Sequence, residues 1–152
     1  MRKLHFELVI NAPKEKVWES IITDASYREW TKPFSPNLNE SYFEGGWEKG
    51  SKIRFLSKDE NGEMMGMLAE IVENRKYEFI SIKHIGMIMK GVEDTESEEA
   101  KKWTSLFENY TLSEQGGKTK VEVDLDTNEE YAEMFEEMWP KALEKLKEIA
   151  ER

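Results

Sequence analysis

No proline interrupts the chain between Pro36 and Pro140, and that gap constrains the fold more than any other feature of the sequence. Proline cannot donate to a backbone ladder and is kept out of central strands, so a long proline-free stretch is free to become sheet. From Leu38 to Asp126 the residues read that way, as strands cut by turn chemistry at short intervals. Gly45-Gly46 and Gly50 separate a strand at 39–44 from one at 51–58, and Asn61-Gly62 leads into 63–73. Asn74-Arg75-Lys76 precedes 77–89, and Gly116-Gly117 joins 103–114 to 118–126. Connections this short make antiparallel neighbours. The one longer link, Lys90 to Lys102, carries Glu93, Asp94, Glu96, Glu98 and Glu99 and reads as a solvated acidic loop, a candidate rim or lid.

The flanks have a different period. Residues 3–10 alternate, with Leu4, Phe6, Leu8 and Ile10 on one side, which predicts a half-buried strand. Pro13 suits the first position of a helix over 13–24, where Val17, Trp18, Ile21 and Ile22 follow at helical spacing. A second short helix over 25–31 carries Tyr27 and Trp30 and is stopped by Pro33 and Pro36. Residues 129–151 place Tyr131, Phe135, Met138, Trp139, Ala142, Leu143 and Leu146 on one stripe, predicting a long amphipathic helix. The order is strand, two short helices, six strands, long helix. It predicts an α+β fold in which a seven-stranded antiparallel sheet curves around the C-terminal helix. A straight rod does not fill a curved sheet, so a cavity between the two is expected and is the candidate functional site.

The 152 residues suit a single domain over 1–152. The net charge of -10 repels phosphate backbones and anionic headgroups, so neither nucleic acid nor membrane is expected as a partner. With no cysteine and two scattered histidines, neither a metal site nor a cofactor site is expected. The N-terminus lacks the pattern of a signal peptide, and no apolar run is long enough to span a bilayer, so a cytoplasmic protein is expected.

Parity assigns the cavity wall. In 118–126, Val121 and Val123 face the helix while Lys120, Glu122 and Asp124 face away. Ile53 and Phe55 are inward in 51–58. Met65 and Met67 share a row with Ala69 and Ile71, and with Met64 nearby they make a soft, adaptable wall. In 77–89, Ile80, Ile82 and His84 share one parity, whereas Met87 and Met89 share the other. A bulge at Gly86 reconciles them and turns His84 inward. In 103–114 the inward row is Leu106, Glu108, Tyr110 and Leu112. Phe135, Met138 and Trp139 of the long helix close the expected ligand-binding set. Glu108 and His84 are the only ionisable residues placed on this face. They suit either a structural hydrogen-bonded pair or an anchor for a ligand's polar end, with Tyr110 as a phenolic donor. Gly45 to Gly50 lacks the Gly-Lys-Ser/Thr ending of a phosphate loop and opens no helix, so it reads as a turn.

The ordered set Ala12-Pro13-Lys14-Glu15-Lys16-Val17-Trp18, Trp30-Thr31, Gly46-Trp47-Glu48-Lys49-Gly50, Glu108-Asn109-Tyr110-Thr111-Leu112, Gly117-Lys118-Thr119 and Trp139-Pro140-Lys141-Ala142-Leu143 runs through almost the whole chain. It resembles the SRPBCC or START-like superfamily, and within it the group related to the activator of the ninety-kilodalton heat-shock protein ATPase. The resemblance implies a helix-grip fold, often with a cavity for hydrophobic ligands, but superfamily members differ too widely in role for fold to settle function. The leading expectation is non-catalytic binding of a hydrophobic or amphipathic small molecule. The alternatives are a protein-interaction role with a chaperone or other protein, and an aromatase- or cyclase-like enzyme, for which Glu108 and His84 are the only acid/base candidates.

Overall fold

The computed structural model describes residues 1–35 and 40–152, so the first residue of the strand expected at 39–44 lies outside the described residues. Strand β1 (Arg2–Ile10) is followed by helices α1 (Lys14–Ile22) and α2 (Asp24–Trp30) and a turn of 3-10 helix at Lys32–Phe34. Then come β2 (Ser41–Gly45), β3 (Lys52–Lys58), β4 (Met64–Arg75), β5 (Phe79–Met89), β6 (Val92–Asp94) and the short helix α3 (Glu98–Lys101). Strands β7 (Leu106–Gln115) and β8 (Lys118–Thr127) lead into helix α4 (Glu129–Ala150). The strands form one antiparallel sheet in the order β1-β8-β7-β5-β4-β3-β2, with β6 pairing β5. This is the expected helix-grip architecture with an eighth strand. The acidic 90–102 segment, read as a loop, adds the three residues of β6 and one helical turn.

Local chemistry explains the boundaries. Thr23 is extended and separates α1 from α2, so the two helices bend around one core and bury Val17, Trp18 and Ile21 from the first and Tyr27 and Trp30 from the second. In α4 the buried positions Ala132, Trp139, Ala142, Leu143, Leu146 and Ala150 follow helical spacing, with the acidic face outward. Asn128 stands at the N-cap, but its side chain makes no capping bond; its Nδ2 donates to the Lys102 carbonyl at 3.0 Å and ties the helix start to the segment after α3. No helix among the described residues is long and apolar enough to cross a membrane.

Two irregularities in the β4–β5 ladder set which side chains face the helix. Gly86 pairs with Leu68 and His84 with Ala69, so the extra residue is Ile85, one position before the expected bulge at Gly86. A second register shift leaves Val72 unpaired on β4. The bulge puts His84 and Met87 on one face, as the sequence required, and sends Ile85 to the other. Gly86 is needed for a different reason: a Cβ there would fall 2.5 Å from the Asp94 carbonyl oxygen, where the chain after β6 crosses closely.

The main core lies between the concave face and α1, α2 and α4. On the opposite face Leu56, Leu68 and Ile88 form a second buried cluster with Tyr42, Met64 and Ile85 packed on it. Met64 therefore does not join the inward methionine wall. Beside this outer cluster Glu93 reaches back to Lys52 at 3.2 Å and to Arg54, clasping β6 to β3.

Candidate functional site

Antiparallel register stacks the concave face into rows. Leu4, Leu125, Glu108, Ile82 and Ile71 pair in succession across five strands, and Phe6, Val123, Tyr110 and Ile80 form the next row. Glu108 is thus a carboxylate set into an otherwise apolar surface, and its neighbours supply what burial demands. The Tyr110 hydroxyl donates to its Oε2, and His84 Nε2 lies 3.3 Å from Oε1. Burial, reinforced by the Glu108 charge, holds the Tyr110 phenol well above its ordinary value of 10, and the same two causes act on Tyr27 of α2. Both phenols therefore stay protonated, and that of Tyr110 serves as a hydrogen-bond donor. His84 is nine-tenths buried and its Nδ1 has no hydrogen-bond partner, while the Glu108 side chain keeps 21% of its surface exposed. Within this polar group the carboxylate is the part that solvent reaches most.

The expected binding residues divide into two groups. Ile53, Ile82, Val121, Val123, Tyr110 and Trp139 are sealed in the core, each at most 3% exposed. Trp139 has four rings around it, with centroids 4.9 to 6.1 Å away: Phe6, Trp30, Phe34 and Tyr110. Tyr27 does the same for Trp30, Phe43, Trp47 and Phe55, at 5.2 to 6.2 Å. By contrast Phe55, Met65, Met67, Phe135 and Met138 are half-buried. Cross-strand pairs Met65–Met89 and Met67–Met87 place four thioethers side by side, and the Phe55 ring joins them to His84 at 6.2 Å.

Sequence reasoning missed Tyr27 and Met87 as neighbours of the polar group. The Tyr27-x-x-Trp30 spacing on a short helix was a usable signal for the first. For the second, only the bulge reveals the face.

Two surface depressions among the described residues lie elsewhere: one of about 260 Å³ on the outer face beside His5 and Asp124, and one of about 460 Å³ between Trp18 and Trp47. Near the first, ligand atoms of His5, Glu7 and Glu122 lie within 4.8 Å of one another. The Lys120 ammonium stands 3.7 Å from both carboxylates, which makes this group an exposed ion-pair cluster.

Among solved structures, an X-ray structure of a Nitrosomonas europaea protein is similar, with a TM-score of 0.74 at 14% identity over 97% of this chain and 92% of its own. The solution structure of an AHSA1-like protein from Aeromonas hydrophila gives a TM-score of 0.73 at 12% identity, over 99% and 92% of the two chains. That of the Aha1 dimer from Colwellia psychrerythraea gives 0.68 at 17% identity, over 99% and 97%. At such identities the likeness is one of fold. No curated protein sequence matches the chain. The family described as Activator of Hsp90 ATPase homolog 1-like protein matches residues 11–151, from the end of β1 past the last turn of α4. With nearly every element of the grip inside that match, the chain belongs to the Activator of Hsp90 ATPase homolog 1-like family.

Proposed function

We propose that the protein binds a hydrophobic small molecule carrying a hydroxyl or similar polar end, held on the open part of the concave face. One observation carries the reading: a carboxylate bonded to a phenol and an imidazole remains partly exposed, beside half-buried Phe55, Met67 and Met87. The ligand's polar end would share a hydrogen bond with the partly exposed Glu108 carboxylate. Its apolar body would lie on the methionines, whose unbranched thioethers adapt to varied shapes. Burying a few hundred Å² of apolar area at about 25 cal/mol per Å² supplies several kcal/mol before ordering costs.

The test is the thermal midpoint with and without a panel of fatty acids, sterols and flavonoids. A ligand that binds the folded state raises the midpoint with concentration. Glu108→Gln should weaken the response to hydroxylated ligands while leaving the fold intact. A panel without any shift overturns the proposal. If, in addition, immobilised protein retains a chaperone of the ninety-kilodalton class, the interaction reading attached to the family name takes its place.

A further inference from the structure

Three partly shielded carboxylates on the outer face each hold a lysine or arginine. Glu93 takes Lys52 and Arg54, Asp126 takes Lys3 at 2.9 Å, and Glu122 takes Lys120 at 3.7 Å. Glu108, on the concave face, is shielded to a similar degree and holds neither. Leu125 and Ile82 flank it on the neighbouring strands, and Leu106 and Tyr110 stand two places away along its own. Among the described residues its one ion-pair partner is His84, at 3.3 Å.

Both groups that bond to this carboxylate act as neutral donors. The Tyr110 hydroxyl donates to Oε2, and burial keeps that phenol protonated. His84 faces Oε1 through Nε2, while its Nδ1 lies buried without a partner. A proton on both ring nitrogens would bury a charged donor with no acceptor, so the geometry fits a neutral ring that donates from Nε2. Hydrogen bonding at Glu108 is thus partly satisfied, but its charge is not compensated. An uncharged ligand lying over the exposed part of this side chain would strip water from it and return only a neutral hydrogen bond. A cation would replace that water with a charge-assisted one. The surroundings agree: the Phe55 ring and the thioethers of Met67 and Met87 accept the methylenes beside an ammonium, and the net charge of -10 draws cations while repelling anions.

We propose that the ligand of the concave face is a protonated amine on an apolar body, with its ammonium seated on Glu108 and its body on Phe55, Met67 and Met87. This rests on the ligand-binding reading given above and narrows it: the polar end is a cation, and carboxylate-headed lipids are disfavoured.

The experiment titrates the protein with naphthylethylamine, naphthylethanol and naphthylacetate, which share one apolar body and differ in the head group. Binding is followed by the methyl resonances of Met67 and Met87, each assigned by its loss on substitution by leucine. The amine should shift both signals saturably and bind about tenfold more tightly than the alcohol, the difference between a charge-assisted and a neutral hydrogen bond. Naphthylacetate should bind most weakly. Glu108→Gln should abolish the amine's advantage over the alcohol. Should that variant unfold, the wild-type protein at rising salt gives the same information, since only the amine's affinity should fall. Equal affinity for amine and alcohol, or tighter binding of naphthylacetate, overturns the cation proposal and leaves the ligand-binding reading standing. Amine shifts confined to the glutamates of α4, with both methionines unmoved, overturn it as well. Silence towards all three probes overturns the cation proposal if the wider panel of fatty acids, sterols and flavonoids does bind; silence towards that panel too removes the ligand-binding reading and this one with it.

Discussion

The two ends of the grip use different side chains for what looks like the same task of covering a curved sheet. At one end indoles and phenyl rings interlock: Trp18 and Trp30 are each 1% exposed and Trp139 is 3% exposed, with ring partners on several elements. At the other, Met65, Met67 and Met87 remain half-buried, and Met89 is 51% exposed. A ring is rigid, so it fills a space of fixed shape and holds its neighbours in register. A thioether chain has three rotatable bonds and fills a space whose shape varies. The difference marks one end as the structural anchor and the other as the adaptable surface.

The largest test of that division is Trp139→Ala. Removing the ring on which Phe6, Trp30, Phe34 and Tyr110 converge should cost about 3–5 kcal/mol, read as a lower urea midpoint at unchanged slope. Tyr110→Phe probes the boundary between the ends. It strips the Glu108 carboxylate of its phenolic donor and should cost about 1–3 kcal/mol, with the far-ultraviolet spectrum unchanged. Met67→Ala at the adaptable end should cost only about 1 kcal/mol, well below the loss for a sealed core methionine, because the side chain is already half in water. If Met67→Ala destabilises as much as Trp139→Ala, the distinction between anchor and adaptable surface collapses.

The smallest effect belongs to neither end. His5, on the outer face, lies 2.6 Å from Asp124 and 2.8 Å from Glu7, and these hydrogen bonds raise its pKa above the usual 6.5. Its contribution to stability is complete below the unfolded value and disappears as pH rises through the folded one. The urea midpoint should therefore fall slightly as pH rises from below 6.5 to above the raised folded value, less so at high salt. His5→Gln should flatten that fall. A slope that persists in the variant would place the titrating group elsewhere.

Much of this was legible in the residues, and the illegible parts share a cause. Strand β8 alternates strictly, so its faces were assigned without coordinates, and Glu108, Tyr110 and His84 were brought together by parity once a bulge in β5 was admitted. Strands β3 to β5 carry apolar residues on both faces because both faces are covered. Alternation there gives no direction, which is why Met64 was assigned to the wrong side and the cluster of Leu56, Leu68 and Ile88 went unseen. The acidic segment before β7 hid a strand for the opposite reason: its three paired residues, Val92, Glu93 and Asp94, follow no recognisable strand pattern.

Sequence alone determined the order and type of the elements apart from β6 and α3, because hydrophobic period, proline placement and turn chemistry act on neighbours a few residues apart. Tertiary structure decided which end of the grip is packed and which is open. That outcome depends on whether rings from α2, the 3-10 turn, β1 and β7 meet around Trp139 of α4 in three dimensions, and on a single extra residue, Ile85, that turns the rest of its strand over. Contacts between distant segments and a half-period slip in a ladder leave no local trace, so only the folded chain could show them.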